Sequence, residues 1–129
     1  MRTYSTAEAA ERSGFSIDTL RYYEREGILP PVARTPAGHR AYDDGDLATL
    51  DFLHCLRDSG MPIERLRRYG ELCRDPATFP ERIALLREHQ ASLAEQALQL
   101  ERWRTRLEEK LQWYEEQPQS HVSRDAGST

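Results

Sequence analysis

The sequence lacks the features of a membrane, secreted or zinc-binding protein. No apolar run approaches the roughly 18 residues that a membrane-spanning helix requires, and the first residues are polar rather than signal-like. The two cysteines, Cys55 and Cys73, match no zinc-ligand spacing, and without an export signal we expect them to be reduced. These absences predict a cytoplasmic protein without a membrane partner.

Catalytic and metal-binding motifs are also missing. The sequence has no phosphate-binding loop, no Ser/His/Asp arrangement and no triad of metal ligands, and His89 and His121 are isolated. We therefore expect no enzymatic activity, no catalytic residue, no metal site and no cofactor.

An excess of positive charge is absent too, although many nucleic-acid-binding domains are basic. The chain has 18 basic and 22 acidic residues, which gives a net charge of -4. Distribution is more informative than the total, because between residues 27 and 42 the only formal charges are Arg34 and Arg40, with His39 beside them. This segment is locally positive and suited to meet a phosphate backbone.

The first half of the sequence carries clear helix signals. Residues 5–8 (Ser-Thr-Ala-Glu) fit a capping box, which predicts a first helix from about residue 6 to 13. Gly14 suits the left-handed end of that helix, and Ser16 suits the cap of a second helix over about 17–26. Two short helices joined by a tight turn are therefore expected.

The next segment predicts a wing and two further helices. Three prolines within residues 28–42 disfavour a helix there and favour a small two-stranded wing. Acidic residues at 43–46 begin a third helix, which Ser59 and Gly60 end, and Pro62 occupies the first turn of a fourth helix to about residue 72. The expected fold is mainly α, with a winged helix-turn-helix domain.

The second half predicts one long helix. After a linker at residues 75–80, nothing breaks a helix until Pro118, and apolar residues recur at every seventh position. The repeat is Leu86, Leu93, Leu100, Leu107 and Tyr114, and the alternate seam positions are Ile83, Gln90, Ala97, Arg104 and Leu111. This pattern is typical of a coiled coil, and because a lone helix cannot bury it, we expect a second copy of the chain as partner. An intramolecular hairpin is the alternative, but the chain offers no second long helix.

Five motifs in the first half occur in a fixed order. They are Tyr-Ser-Thr-Ala-Glu-Ala-Ala at 4–10, Ser-Ile-Asp-Thr-Leu-Arg-Tyr-Tyr-Glu at 16–24, Gly-Ile-Leu-Pro at 27–30, Gly-His-Arg-Ala-Tyr at 38–42 and Asp-Leu at 46–47. In order and spacing they resemble the MerR family of transcription regulators over residues 2 to about 73. The resemblance implies a winged helix-turn-helix DNA-binding domain at 2–73 and an antiparallel coiled-coil dimerisation helix at 79–116. The polar tail at 117–129 is expected to be disordered.

The resemblance and the physics of a helix-turn-helix together imply a DNA interface. The second helix enters the major groove with its first residues facing base edges, while arginine and tyrosine donors and the wing hold the phosphates. The predicted contacts are Ile17, Asp18, Thr19, Arg21, Tyr22, Tyr23, Arg34, His39, Arg40 and Tyr42. Alternatives remain open at some of these: Asp18 complements only the helix dipole, and Tyr22, Tyr23 or Tyr42 pack in the core.

The resemblance also implies a mechanism. MerR-like dimers occupy double-stranded promoter DNA with an overlong spacer, and the activated dimer bends and untwists it so that RNA polymerase reads both promoter elements. Such deformation costs on the order of a few kcal/mol, which protein contacts are able to supply. We therefore expect a homodimeric promoter regulator. The alternative is a DNA-architectural winged-helix protein without effector response, a class that generally lacks a long dimer helix.

Residues 52–62 (Phe-Leu-His-Cys-Leu-Arg-Asp-Ser-Gly-Met-Pro) resemble the NmlR/AdhR-like thiol-stress branch of the family, which carries a cysteine at the place of Cys55. The resemblance implies that Cys55 senses a thiol-reactive electrophile, with Cys73 as a resolving thiol. Two alternatives stay open: Cys55 is a small hydrophobe of the core, or the signal is a non-covalent ligand in the dimer groove. Asp51 and Asp58 would disfavour a thiolate, so activation requires a cation supplied by the fold.

Two other branches of the family fit less well. No cysteine follows Cys73, and Thr78, Phe79 and Pro80 stand where the metal-sensing branch has a cysteine. The segment after residue 116 is too short for a drug-binding domain. We expect neither a soft-metal site nor such a domain.

Overall fold

The computed structural model describes residues 2–118, and within them the fold is mainly α, as predicted. The five helices are α1 (Thr6–Ser13), α2 (Ile17–Arg25), α3 (Asp44–Asp58), α4 (Ile63–Cys73) and α5 (Phe79–Glu115). The chain divides into a first compact unit that ends at His89 and a second that begins at Gln90. Most of the predicted tail, residues 119–129, lies outside the described residues.

Helices α1 and α2 form the predicted helix-turn-helix. The Glu8 N–H donates to Ser5 Oγ at 3.1 Å, and the Ser5 N–H donates to Glu8 Oε1 at 2.9 Å, so the capping box is confirmed. Gly14, at φ +83°, ends α1 in the left-handed conformation that glycine adopts without strain. Ser16 caps α2, because its Oγ accepts the Thr19 N–H at 3.1 Å.

Helix α3 begins with a second capping box. The Asp46 N–H donates to Asp43 Oδ1 at 2.7 Å, and the Asp43 N–H donates to Asp46 Oδ2 at 3.0 Å. Pro62 occupies the N-cap position of α4 in an extended conformation (ψ 152°) and makes no side-chain capping hydrogen bond. It therefore lies one residue before the first turn, in which it was predicted. At a cap the missing proline N–H costs no helical hydrogen bond.

The core of the first unit draws apolar side chains from the first four helices and from the turn after α2. Its fully buried members include Leu20, Ile28, Leu29, Leu50, Leu53 and Leu66. The Phe15 ring packs edge-on against Tyr23, with centroids 5.2 Å apart. Full burial of each such side chain contributes about 1.5–3 kcal/mol relative to exposure.

Gly70 allows α4 to approach the turn after α2. A Cβ at Gly70 would lie 2.4 Å from the Ile28 carbonyl oxygen and 2.6 Å from that of Gly27. Backbone rather than flexible side chain fills this space, so only glycine fits without displacing one of the two segments.

The predicted wing is a hairpin, but it is held by an isolated bridge and not by two regular strands. Within residues 2–118 its pairing is a single antiparallel bridge between Arg34 and Arg40, supported by hydrogen bonds from the Ala41 N–H to the Ala33 carbonyl at 2.8 Å and from the Thr35 N–H to the His39 carbonyl at 2.7 Å. Prolines explain the short pairing, because they lack the N–H that a longer ladder needs. A second bridge, Tyr4 to Tyr42, ties the end of the wing to the start of the chain.

Helix α5 spans 37 residues without a break, so the hairpin alternative does not occur within the described residues. In the first unit, Leu85 and His89 are buried, and His89 Nε2 lies 2.8 Å from Ser59 Oγ. In the second unit the heptad leucines are exposed: Leu93 is 37% exposed, Leu100 56% and Leu107 66%.

Candidate nucleic-acid interface

The first turn of α2 faces solvent. Ile17 is 37% exposed and Asp18 is exposed, whereas Thr19 is half-buried. The Ser16 hydroxyl accepts the Thr19 N–H and donates to Thr19 Oγ1 at 2.8 Å. The Thr19 hydroxyl therefore belongs to the helix cap, and Ile17 and Asp18 are the side chains that α2 offers first to a groove.

Arg21 and Tyr22 follow on the exposed surface of α2. Arg21 forms no ion pair and no side-chain hydrogen bond with the residues that the structure describes. Tyr22 is 36% exposed, and the Arg25 guanidinium lies 5.5 Å from its ring centroid. An unpaired guanidinium and an exposed phenol on the same helix are both suited to phosphate oxygens.

The wing carries the other cationic side chains. Arg34 and Arg40 stand opposite each other at the bridge, and His39 is exposed between them. Arg34 Nη1 donates to the Gly38 carbonyl at 3.0 Å, which holds the side chain over the turn. The Arg34 side chain is 50% exposed and that of Arg40 only 22%.

Glu24 joins α2 to the wing, and the sequence predictions assign it no role. Its Oε1 accepts from Arg40 Nε at 2.5 Å and lies 3.8 Å from Arg34 Nη2. Its Oε2 accepts the Val32 N–H at 3.2 Å. One sequence signal could have indicated this pairing: Glu24 lies shortly before residues 27–42, a segment whose only formal charges are Arg34 and Arg40.

Tyr23 and Tyr42 lie in the core rather than on this surface. Tyr23 is 3% exposed and Tyr42 is fully buried, and burial raises the pKa of both phenols. The Tyr42 hydroxyl has no hydrogen-bond partner among the described residues. The Tyr42 hydroxyl is buried, so the predicted phosphate contact is corrected at that position, and the buried ring of Tyr23 favours the packing alternative there.

Five of the predicted residues, Ile17, Arg21, Arg34, His39 and Arg40, line one cleft, whereas Asp18, Thr19 and Tyr22 do not line it. It has a volume of about 400 Å³ and lies where the start of α1, the first turns of α2 and the wing meet. Its lining residues are Ser5, Thr6, Ala7, Ile17, Arg21, Arg34, Gly38, His39 and Arg40. Because the cations face one cleft from two elements, the surface is locally positive although the chain is acidic overall.

The two thiols differ in their surroundings. Cys55 is exposed on α3, so the core alternative for this residue does not hold in the chain itself. Cys73 is half-buried and lines a cleft of about 430 Å³ that also includes Tyr69 and Arg82. Burial, and secondly the neighbouring Cys73, raise the pKa of Tyr69 to about 12. Both thiols are free, and Cys55 is not part of that cleft.

Two kinds of site are not found in the described part of the chain. Among residues 2–118, no group of three His, Cys, Asp or Glu side chains is placed to hold a metal ion. None of the described helices combines the length and the apolar character that crossing a membrane would require.

A solvent-facing second helix after a tight turn, beside a cationic wing, defines a winged helix-turn-helix DNA-binding domain. Residues 4–71 match the family described as MerR HTH family regulatory protein. The chain belongs to this family of DNA-binding transcription regulators.

Individual relatives agree with the family. The chain is 39% identical over 115 residues to an uncharacterised HTH-type transcriptional regulator of Haemophilus influenzae, which covers 88% of this chain and 84% of that protein. It is 44% identical over 66 residues to the HTH-type transcriptional regulator AdhR of Bacillus subtilis, which covers 51% of this chain and 47% of AdhR. Both relatives are described as transcriptional regulators, in agreement with the family.

The fold is similar to that of a DNA-bound structure. The crystal structure of HiNmlR, described as a MerR family regulator lacking the sensor domain and bound to promoter DNA, has 38% sequence identity to this chain and a TM-score of 0.78. The similarity covers 88% of this chain and 90% of that one.

Proposed function

We propose that the chain binds double-stranded promoter DNA in the cytoplasm as a homodimer and activates transcription by distorting an overlong promoter spacer. The observation that carries this proposal is the cleft in which Arg21 of α2 meets Arg34, His39 and Arg40 of the wing. HiNmlR, whose fold is similar, is bound to promoter DNA in its crystal structure, which supports promoter DNA as the partner of this chain.

Within the interface, we assign base edges and backbone to different side chains. Ile17 and Asp18 of the first turn of α2 face the major groove, where an apolar group contacts a thymine methyl and a carboxylate accepts from a cytosine amine. Arg21, Tyr22, Arg34, His39 and Arg40 face phosphates. Phosphate contacts supply affinity that depends on salt and not on sequence.

Arg21→Ala tests this assignment. We expect weaker binding to a promoter fragment and to random duplex DNA in equal proportion, and a salt slope lower by about one unit. Arg68→Ala is the matched control, since Arg68 is an exposed arginine of α4 that pairs with Glu71 at 3.3 Å. A loss confined to one base pair of the promoter would contradict a phosphate contact at Arg21.

The homodimer proposal is supported by the exposed seam of α5. Soluble monomers rarely leave so regular a row of leucines in water, and a second α5 packed antiparallel would bury it. Leu98 and Leu100 give a matched pair, because each is 56% exposed and only Leu100 lies on the seam. Leu100→Asp should lower dimer affinity, measured by sedimentation, much more than Leu98→Asp.

The double variant Leu93→Asp, Leu100→Asp is expected to be monomeric and to bind DNA weakly. A dimer whose DNA-binding units hold two half-sites gains affinity that a monomer lacks. If this variant sediments as a stable dimer, the seam is not the interface.

Spacer distortion separates a regulator from a purely architectural protein. On a promoter located by mapping the binding sites of the protein across its genome, we expect activation with the overlong spacer and none when the spacer is shortened to ordinary length. DNA bending without any change in transcription would favour the architectural alternative.

We further propose that Cys55 is the thiol through which an electrophile acts. Its exposure on α3 supports this assignment, because a reactive cysteine has to be reached by its reagent. Cys55→Ser should bind promoter DNA normally and lose the transcriptional response to an aldehyde or a nitrosothiol, whereas Cys73→Ser tests the resolving role. A full response in Cys55→Ser would leave the non-covalent ligand as the signal.

A further inference from the structure

The Glu24 carboxylate is the most connected charged group at the proposed DNA interface. Its side chain is 14% exposed, and the two oxygens together reach two guanidinium groups and one backbone N–H of the wing. Arg40 and Val32 are the direct donors, at 2.5 Å and 3.2 Å. Because Glu24 belongs to α2, these contacts fix the position of the wing relative to the helix that enters the groove.

The same carboxylate opposes the binding of a phosphate. Two arginines with one carboxylate between them present a net charge of +1 instead of +2, and a negative charge near the cleft repels DNA of any sequence. The Glu24 carboxylate also competes with phosphate oxygens for the N–H donors of the two arginines.

We propose that Glu24 is a specificity-determining residue that positions the wing and lowers affinity for DNA of arbitrary sequence. Tight binding then requires the base contacts of α2 in addition to the phosphate contacts, since specificity is the difference between the two affinities. This inference rests on the proposed interface of α2 and the wing.

Glu24→Gln tests the charge. Glutamine keeps nearly the same size and an oxygen for the Val32 N–H, but it carries no negative charge. We expect stronger binding to random duplex DNA and a salt slope steeper by about one unit, so that a fourfold fall in salt strengthens random-DNA binding about fourfold more in the variant than in the unchanged chain. The repulsion acts on promoter and random DNA alike, so it leaves their affinity ratio unchanged. We expect the ratio to fall because glutamine also loses the charged contacts to Arg34 and Arg40 that hold the wing in place for the promoter.

Glu26→Gln is the matched control. Glu26 directly follows α2, and among the described residues it pairs with Arg67 at 3.1 Å and Arg25 at 3.9 Å but with neither wing arginine, so its neutralisation should change the salt slope much less than that of Glu24. If Glu24→Gln lowers promoter and random-DNA affinity equally with an unchanged slope, the residue is only a structural ion pair and the proposal is wrong.

Glu24→Asp keeps the negative charge and changes only the position of the carboxylate, and it stays informative if Glu24→Gln does not fold. The shorter carboxylate keeps the charge but cannot span the same distances to Arg40 and Val32, so we expect the original salt slope with a lower specificity ratio. An unchanged ratio of promoter to random affinity would contradict the positioning role.

Arg21→Ala, measured in parallel, separates failure of the proposed interface from failure of the role of Glu24. No effect of Arg21→Ala on DNA binding would reject the interface itself. The expected loss in Arg21→Ala, with no change of salt slope in Glu24→Gln, would reject only the role of Glu24.

Discussion

The two units of the chain use leucine in opposite ways. In the first unit, Leu20, Leu50 and Leu53 are at most 1% exposed and fill a core of their own. In the second unit, Leu100 and Leu107 are more than half exposed on a single helix. The difference teaches that hydrophobicity alone does not identify a core, because the heptad spacing of the second set is suited to a surface that another helix covers.

Charge follows a similar division. The cationic cleft of the first unit is assembled from α2 and the wing, with Glu24 between Arg34 and Arg40. In the second unit, charged side chains pair locally along one helix, as Arg104 does with Glu101 at 3.2 Å. Such exposed pairs contribute little to stability.

The largest expected effect separates the two kinds of leucine. Leu53→Ala should lower the free energy of unfolding by about 2–5 kcal/mol, because it opens a cavity in a packed core. Leu107→Ala removes the same atoms from a side chain that is 66% exposed. Its cost should appear only at protein concentrations at which the chain is dimeric.

Urea titrations at a low and a high protein concentration measure both effects. Leu53→Ala is expected to shift the midpoint at each concentration, and Leu107→Ala only at the high one. An equal loss for Leu107→Ala in the monomer would mean that this leucine has a partner within its own chain.

The next effect concerns two helical glycines. Gly70→Ala should destabilise the first unit by about 1–3 kcal/mol, because the added methyl group meets the backbone of residues 27 and 28. At Gly45, at the start of α3, a Cβ meets only Asp43 Oδ1, at 3.2 Å. There the usual gain in helix propensity, up to about 1 kcal/mol, offsets the contact.

Thermal unfolding followed by circular dichroism compares the two variants. The midpoint should fall for Gly70→Ala and stay or rise for Gly45→Ala. A similar fall in both would show that helix crowding in general, and not the approach of α4 to the turn, decides the outcome.

The sequence predicted those features of the fold that depend on residues close together in the chain. The cap at Ser5, the turn at Gly14 and the long α5 depend on residues a few positions apart, and each was predictable from spacing. The burial of Tyr23 and the approach of Gly70 to Ile28 depend on how distant segments pack, and no local pattern encodes that.

The candidate site divides in the same manner. Exposed Arg21 and the wing cations were predictable from the recognition-helix pattern and from local charge. The role of Glu24 was not, since its pairing with Arg40 across 16 residues arises only when the turn at Gly27 folds the wing back onto α2. Cys55 was identified from its match to a family position. Its exposure could not be predicted, because the neighbouring residues of α3 are largely apolar and a core position was equally consistent with them.

The smallest expected effect applies one substitution to both units. Ser5→Ala removes the cap of α1 and should lower the free energy of unfolding by about 1 kcal/mol. Ser92→Ala changes an exposed serine in the interior of α5, outside the seam, where alanine is the better helix former by up to about 0.5 kcal/mol. The serine hydroxyl is thus stabilising at a helix end and mildly unfavourable within a helix.

Acid titration sharpens this last prediction. Hydrogen bonds from Ser5, first from its backbone N–H, lower the pKa of Glu8. A carboxyl group whose pKa is lower in the folded chain contributes stability that is present above its unfolded pKa and is lost as the pH falls through the folded value. The cost of Glu8→Gln should therefore fade in acid, whereas the cost of Ser5→Ala should persist because a hydroxyl does not titrate there. Urea midpoints at neutral and acidic pH measure both, and a Ser5→Ala cost that disappears in acid would mean that the two halves of the capping box act only together.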